Sequence, residues 1–434
     1  MQSHSLELPV AGNVKLCGGW RERLRRRRKH EGESRKDKVG TISTMDSLVE
    51  ANNRFSMDFF KSMEEERSNR ITFFSPFSFV EALAMVLFGA RGNTALEIEK
   101  VLHFDKITGS RMSTNGLAQC DKPGGLHNQF KELLSAINQP AKNYTLSIAN
   151  RLYGSDIYEF LQQFTECTKE LYHAELERVD FVNVEETRKK INSWVESQTN
   201  GKIKELFAPH SIGKNTAMIL VNAIYFKGKW KCQFNSKETH EADFWTSKEQ
   251  SKKVQMMAQT GRFNYAKITN PPMEVLEFPY DKGILSMYIF LPDKNGTTQE
   301  IVKQLSYEKF QEWTSSTSMQ VTKITIFLPK FKVEEEYALI PTLKKMGIKD
   351  VFIAHKADLS GISESPDLVV SEFRHKACIE VNEEGTEAAA ATDVVTVPTS
   401  AQTIPKFNVN RPILFIIKHN STKCILFAGK FFSP

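Results

Sequence analysis

The chain predicts one large α+β domain over residues 45–434. Three observations point there. No Pro/Ser/Gly-rich linker divides these residues. Helical spacing of apolar residues dominates the first half, and strand-like alternation the second. The apolar fraction of 40% and charged fraction of 25% are those of an ordinary soluble globular protein. Taken in order, a helix is expected from Met45, because Leu48, Phe55, Phe59 and Met63 fall on one helical face. Lys106–Gly125, with Cys120 inside it, is polar and Gly-containing and reads as a long exposed loop. Phe130, Leu133, Leu134 and Ile137 follow the i, i+3, i+4, i+7 spacing of a second helix. A third, near Glu185–Thr199, carries Trp194 and ends before Gly201, a suitable C-cap. Met287, Ile289 and Leu291 alternate with Ser286, Tyr288 and Phe290, which predicts a strand covered on both faces. Ile324–Leu328 is a further strand, closed by Pro329, and Ile413–Lys418 with Cys424–Lys430 predicts a hairpin.

The formal net charge of +6 resides in the N-terminal segment. Residues 1–44 hold 11 Lys/Arg and 5 Asp/Glu, leaving 47 of each sign in the body. The body therefore carries no general attraction for nucleic acid. Residues 1–44 are expected to be a disordered basic extension, with Arg21–Lys38 as a polyanion-binding or nuclear-localisation arm. The alternative is an upstream extension of the gene model, with Met45 as the start. No apolar signal-peptide core follows a basic start. Val80–Ala90 is too short to span a bilayer. Six scattered cysteines without CxxC spacing read as mostly free thiols of a reducing compartment. The ten histidines show no paired metal-ligand spacing, and no GxSxG, HExxH or Walker motif occurs, so neither an enzyme nor a cofactor is expected.

Residues 383–400, EEGTEAAAATDVVTVPTS, hold the most information. Glu383, Glu384 and Gly385 lead into Thr386, Glu387, Ala388, Ala389, Ala390, Ala391 and Thr392. Four alanines favour a helix, whereas Val394, Val395, Thr396 and Val397 favour a strand. Read with period two, Thr386, Ala388, Ala390 and Thr392 share one face of small residues. Glu387 and Asp393 fall on the other. Such a strand could enter a sheet with its small groups buried and its acids in water.

These residues resemble the hinge and reactive-centre loop of an inhibitory serpin. Other blocks follow in family order: FFSPFS (Phe73–Ser78), LVNAIYFKGKW (Leu220–Trp230), HKACIEVNEEGTEA (His375–Ala388) and the segment Phe407–Pro434. The resemblance covers roughly Met45 to Pro434. The MDSLVEAN start, the FFSP ending and the lack of a signal peptide resemble the ovalbumin-like, intracellular branch. The resemblance implies a serpin fold: a mixed central sheet, additional sheets, surrounding helices and an exposed reactive-centre loop over about residues 383–407. It implies suicide inhibition of a serine protease through a covalent acyl complex, by a monomer that is not itself an enzyme. The compartment implied is cytoplasmic, with nuclear or unconventionally secreted pools as alternatives. Hinge residues would be Glu383–Thr392. The residue fourteen after the glycine gives Thr399 as the acyl donor and Ser400 on the leaving side. Small, uncharged Thr399 favours an elastase-like target. Papain-like cysteine proteases and a non-inhibitory, chaperone-like binding role are the alternatives. His375 matches the shutter histidine, expected near Asn222, Ser75 and Ser78, and Trp230 matches the tryptophan where the loop first inserts. Three residues depart from the family pattern. Asp393 stands on the outward face of the hinge. Glu81 lies in a helix expected to be buried, so it needs a partner or a raised pKa. Ile413 replaces an aromatic after Pro412.

Overall fold

The structure, a computed structural model, describes residues 44–108, 120–121, 124–139, 144–384 and 404–434. The stretch predicted from Met45 is helix α1 (Thr44–Glu66), with Leu48, Phe55, Phe59 and Met63 all buried. The short strand β1 (Thr72–Phe74) leads into α2 (Pro76–Gly89), which is buried at every position. Pro76 stands at its first turn, where a missing N–H costs nothing, and the Ser75 side chain caps it by accepting from the Ser78 N–H. The helices α3 (Gly92–Val101), α4 (Asp105–Thr108) and α5 (Leu126–Ile137) come next. In α5 the four predicted apolar residues are buried, and its first turn donates from the His127 and Asn128 N–H groups to Asp121 Oδ2 at 2.9 and 3.0 Å.

Strand β2 (Tyr144–Ser155), helix α6 (Gln162–Tyr172), strand β3 (Leu176–Val179) and helix α7 (Val184–Gln198) follow. Gly201, at φ +71°, takes the left-handed conformation just past α7, and its N–H closes on Glu196 O at 2.8 Å. Then come β4 (Met218–Gly228), β5 (His240–Trp245), β6 (Ser251–Thr269), β7 (Pro272–Pro279) and β8 (Leu285–Pro292). After α8 (Thr298–Gln304) and α9 (Tyr307–Trp313), the chain forms β9 (Gln320–Pro329), β10 (Phe331–Ala338), α10 (Ile340–Met346) and β11 (Val370–Val381). The last elements are β12 (Lys406–Asn408), β13 (Ile413–His419) and β14 (Ile425–Phe431).

Among the described residues the strands form two sheets. One has nine strands, ordered β1-β14-β13-β8-β7-β6-β9-β12, with β5 pairing β6. All eight residues of β8 are buried, as its two apolar faces require, and the predicted hairpin is the β13–β14 pair. Ile413 is buried at the start of β13, opposite Phe431. The other sheet has five strands, ordered β10-β11-β4-β2-β3. It is mixed: β11 and β4 run parallel, while β10–β11 and β4–β2 are antiparallel. Helix α2 packs beneath it, against β4 and β2.

Two features differ from the sequence reading. Cys120 and Cys167 form a disulfide, with Cα atoms 5.2 Å apart, where free thiols were expected. The packing of α5 on α6 brings together two cysteines 47 residues apart, a juxtaposition that spacing does not reveal. Among the described residues, Cys378 and Cys424 are buried free thiols. Part of the expected loop Lys106–Gly125 is also helical, since α4 reaches Thr108. A buried ion pair is also absent from the sequence reading. Lys430 Nζ lies 2.5 Å from Glu64 Oε2 and donates to the carbonyls of Arg67 and Ser68 at 3.0 and 2.7 Å.

Candidate functional site

Of the expected site residues, those the structure describes, Ser75, Ser78, Asn222, Trp230, His375, Glu383 and Glu384, lie along the boundary between β4 and β11 or at its end. There the two strands are in continuous parallel register from Phe373↔Leu220 to Ile379↔Phe226. His375 and Asn222 are direct partners across it. Both are fully buried, because alternation along each strand turns them down onto α2.

The FFSPFS segment supplies the other half of the arrangement. The Ser75 N–H donates to His375 Nε2 at 3.2 Å, so Nε2 acts as an acceptor and Nδ1 carries the proton, donating to Asn222 Oδ1. Burial drives the His375 pKa down to about 3, which agrees with this neutral tautomer. Ser78 Oγ lies 2.9 Å from Asn222 Oδ1 and 3.0 Å from Ser75 O. Phe79 packs edge-on against the imidazole at 5.1 Å, and Tyr337 stacks on it at 6.1 Å. The Tyr337 hydroxyl in turn accepts from the Phe73 N–H at 3.0 Å. One member escaped the sequence reading. Asn150 on β2 accepts from Asn222 Nδ2 and donates to Ser78 O at 3.2 Å. Nothing in the local sequence marks it, and its stretch, with Ala149 before it and Arg151 after it, is not assigned as a strand from sequence.

The end of the boundary is held by a second group. The Trp230 indole N–H donates to Asn382 O at 2.9 Å, just past β11. Its ring is buried, stacked on Tyr280 at 4.4 Å and packed against Phe278. Glu383 is clamped by three neighbours. Its Oε1 accepts from Thr239 Oγ1 at 2.8 Å, its Oε2 pairs with Lys330 at 2.9 Å, and its carbonyl accepts from the Phe234 N–H at 3.1 Å. Burial opposes ionisation of Glu383, but hydrogen bonds from Lys330 and Thr239 outweigh it and hold the pKa below the usual value. The sequence placed Glu383 in the hinge but gave no sign of Thr239 or Lys330 as its partners. Glu384 is exposed and is the last of the expected hinge residues that the structure describes. Gly385, Thr386, Glu387, Ala388, Ala389, Ala390, Ala391, Thr392, Asp393 and the bond Thr399–Ser400 lie outside the described residues.

Glu81 of α2 is buried, as expected. Burial raises its pKa to about 8, and a hydrogen bond with Asn150 only partly opposes this. Among the described residues no group of His, Cys, Asp and Glu side chains is arranged to hold a metal ion. No helix there is long and apolar enough to cross a membrane.

The chain matches, over residues 50–434, the family described as Serpin (serine protease inhibitor). Human Serpin B3 is 47% identical over 394 residues, which cover 90% of this chain and 100% of that protein. Leukocyte elastase inhibitor A of Mus musculus is 40% identical over 397 residues, again 90% and 100% of the two chains. Among solved structures, uncleaved ovalbumin aligns with a TM-score of 0.80 at 38% identity, covering 89% of this chain and 100% of that one.

Proposed function

The chain belongs to the serpin family, in its ovalbumin-like branch, and from that premise we propose that it inhibits a serine protease as a suicide substrate. The observation that carries this reading is the parallel pairing of β4 with β11, the strand that leads into the hinge. A segment that leaves β11 and folds back runs antiparallel to it. Because β4 is parallel to β11, the same segment runs antiparallel to β4 as well. One parallel ladder is then exchanged for two antiparallel ones, and antiparallel pairing is slightly the more stable per residue. Dimensions agree. Residues 385–399, extended, span roughly 45 Å at ~3.3 Å per residue, against strands of roughly 36–40 Å for β4 and β11.

The small face Thr386, Ala388, Ala390 and Thr392 would lie toward α2, where larger groups would collide with Phe79 and its neighbours. In the proposed sequence, a protease serine attacks the Thr399 carbonyl, the bond to Ser400 breaks, and the acyl-enzyme forms. The cut segment then inserts past Trp230 and Glu383, parts Asn222 from His375, and carries the protease with it. Strand insertion of this kind is a known way for a fold to release stored strain. Small Thr399 favours an elastase-like target, in keeping with the name of the murine relative, and we place this action in the cytoplasm.

Incubation with a protease panel tests the reading. An elastase-like enzyme should give an SDS-resistant complex, and the released C-terminal peptide should begin at Ser400, while trypsin should not be trapped. Cleavage after Lys406 alone, with no complex from any protease, would overturn it.

A further inference from the structure

A second feature touches the same network from below. Between α2, α5, α6, β2 and α7 lies a cavity of about 360 Å³. Glu81, Asn150, Tyr172, Arg151, Trp194 and Lys169 are among its lining residues. It reaches solvent beside Lys169 and Glu175, whose side chains are 70% and 48% exposed. Glu81 presents a carboxyl group there with Oε2 buried and without a hydrogen-bond partner. Its other link is to Asn150, the same amide that donates to Ser78 O and accepts from Asn222. A chain of contacts thus runs from a solvent-connected cavity through Glu81, Asn150 and Asn222 to His375 at the β4–β11 boundary.

We propose that Glu81 is a proton-controlled brake on the parting of β4 from β11. As a neutral acid it sits in its buried site at no charge cost and leaves Asn150 free to hold Ser78 and Asn222. As a carboxylate it is a desolvated charge with one amide donor, and any opening that lets water reach it is favoured. The sign follows from linkage. The closed boundary binds the Glu81 proton more tightly than the opened one, with a pKa raised to about 8 from an ordinary value of 4.5. The contribution to closure is fully present below the ordinary value and is lost as pH rises through about 8.

Other charged and titratable groups face Glu81 from each packed element. Tyr172 and Lys169 come from α6, His173 from its C-cap, Arg151 from β2, and Glu175 from the turn before β3, while His127 and Asp121 act on the site only through Tyr172. Burial moves the two histidines of the network out of the way, His127 to about 4 and His375 to about 3, and lifts Tyr172 well above its usual value. The effect on trapping rests on the function proposed above, but the effect on the boundary does not.

Hydrogen exchange of the intact protein, without protease, reads the boundary directly. Opening constants for amides of 221–226 and 374–379 would be compared between wild type and Glu81→Gln at each pH, which cancels the intrinsic pH dependence of exchange. The wild-type-to-variant ratio should rise about tenfold or more between pH 6 and 8.5 and then level off. Amides of β13 and β14 should show a smaller rise. Glu81→Thr should behave like Glu81→Gln and serves as the comparison if the glutamine variant does not fold. A ratio that stays flat overturns the proposal. So does an equal rise at β13 and β14, which would assign Glu81 to global stability alone.

Discussion

If the protein acts as the proposed inhibitor, Thr386→Arg is expected to turn it into a substrate, cut at the same bond. Thr386 begins the small face of the segment proposed to insert, so the new side chain must enter the sheet over α2 for insertion to start. Every position of α2 is buried, and nothing acidic except Glu81 was found among its side chains. An unpaired buried charge carries an effective penalty of several kcal/mol. Each ~1.4 kcal/mol added to the insertion barrier slows that step about tenfold. Deacylation by the protease is unaffected and should win the competition. Partition between complex and cleaved product on a denaturing gel measures this directly. Retention of parental trapping by Thr386→Arg would remove strand insertion from the mechanism.

Trp230→Ala is expected to cost the native state about 3–5 kcal/mol, the range for large aromatic truncations in a core. The ring is 3% exposed, stacked on Tyr280 and tilted against Phe278, so its removal leaves a cavity that these two aromatic neighbours must collapse to fill. The loss of the indole N–H also leaves Asn382 O without its donor at the end of β11. Trp230→Phe keeps most of the packing and should cost roughly 1–2 kcal/mol, the value of the orphaned carbonyl and the smaller ring. Denaturant unfolding of the two variants separates the terms. Equal costs would mean that the hydrogen bond to Asn382, and not the packing, is what Trp230 supplies.

Much of this was legible in the sequence because it depends on local periodicity. Leu48, Phe55, Phe59 and Met63 could share only one helical face, and a strand such as Leu285–Pro292 with apolar residues on both faces had to be covered twice. Ser75, Ser78, Asn222, Trp230 and His375 stand out in the sequence through motif resemblance rather than through pattern. What pattern reasoning could not reach was pairing across long separations. Asn150 has no local mark of its role, because its partners Ser78 and Asn222 are each 72 residues away. Lys430 reads as an exposed charge until the hairpin places it against Glu64, 366 residues earlier. Cys120 met Cys167 for the same reason. Glu81 was the exception: a charge in an apolar helix is visible in sequence, and its displaced pKa follows from burial alone.

The central claim is that a new strand enters between β4 and β11, and a distance across the sheet tests it most directly. Lys332 on β10 and Thr145 on β2 are exposed and stand on opposite sides of that boundary. Spin labels at Lys332→Cys and Thr145→Cys, with Cys17 and Cys232 replaced by serine, would report their separation by pulsed electron resonance before and after loop cleavage. One inserted strand adds one inter-strand spacing, so the account predicts an increase of about 5 Å. An unchanged distance in fully cleaved protein would contradict it.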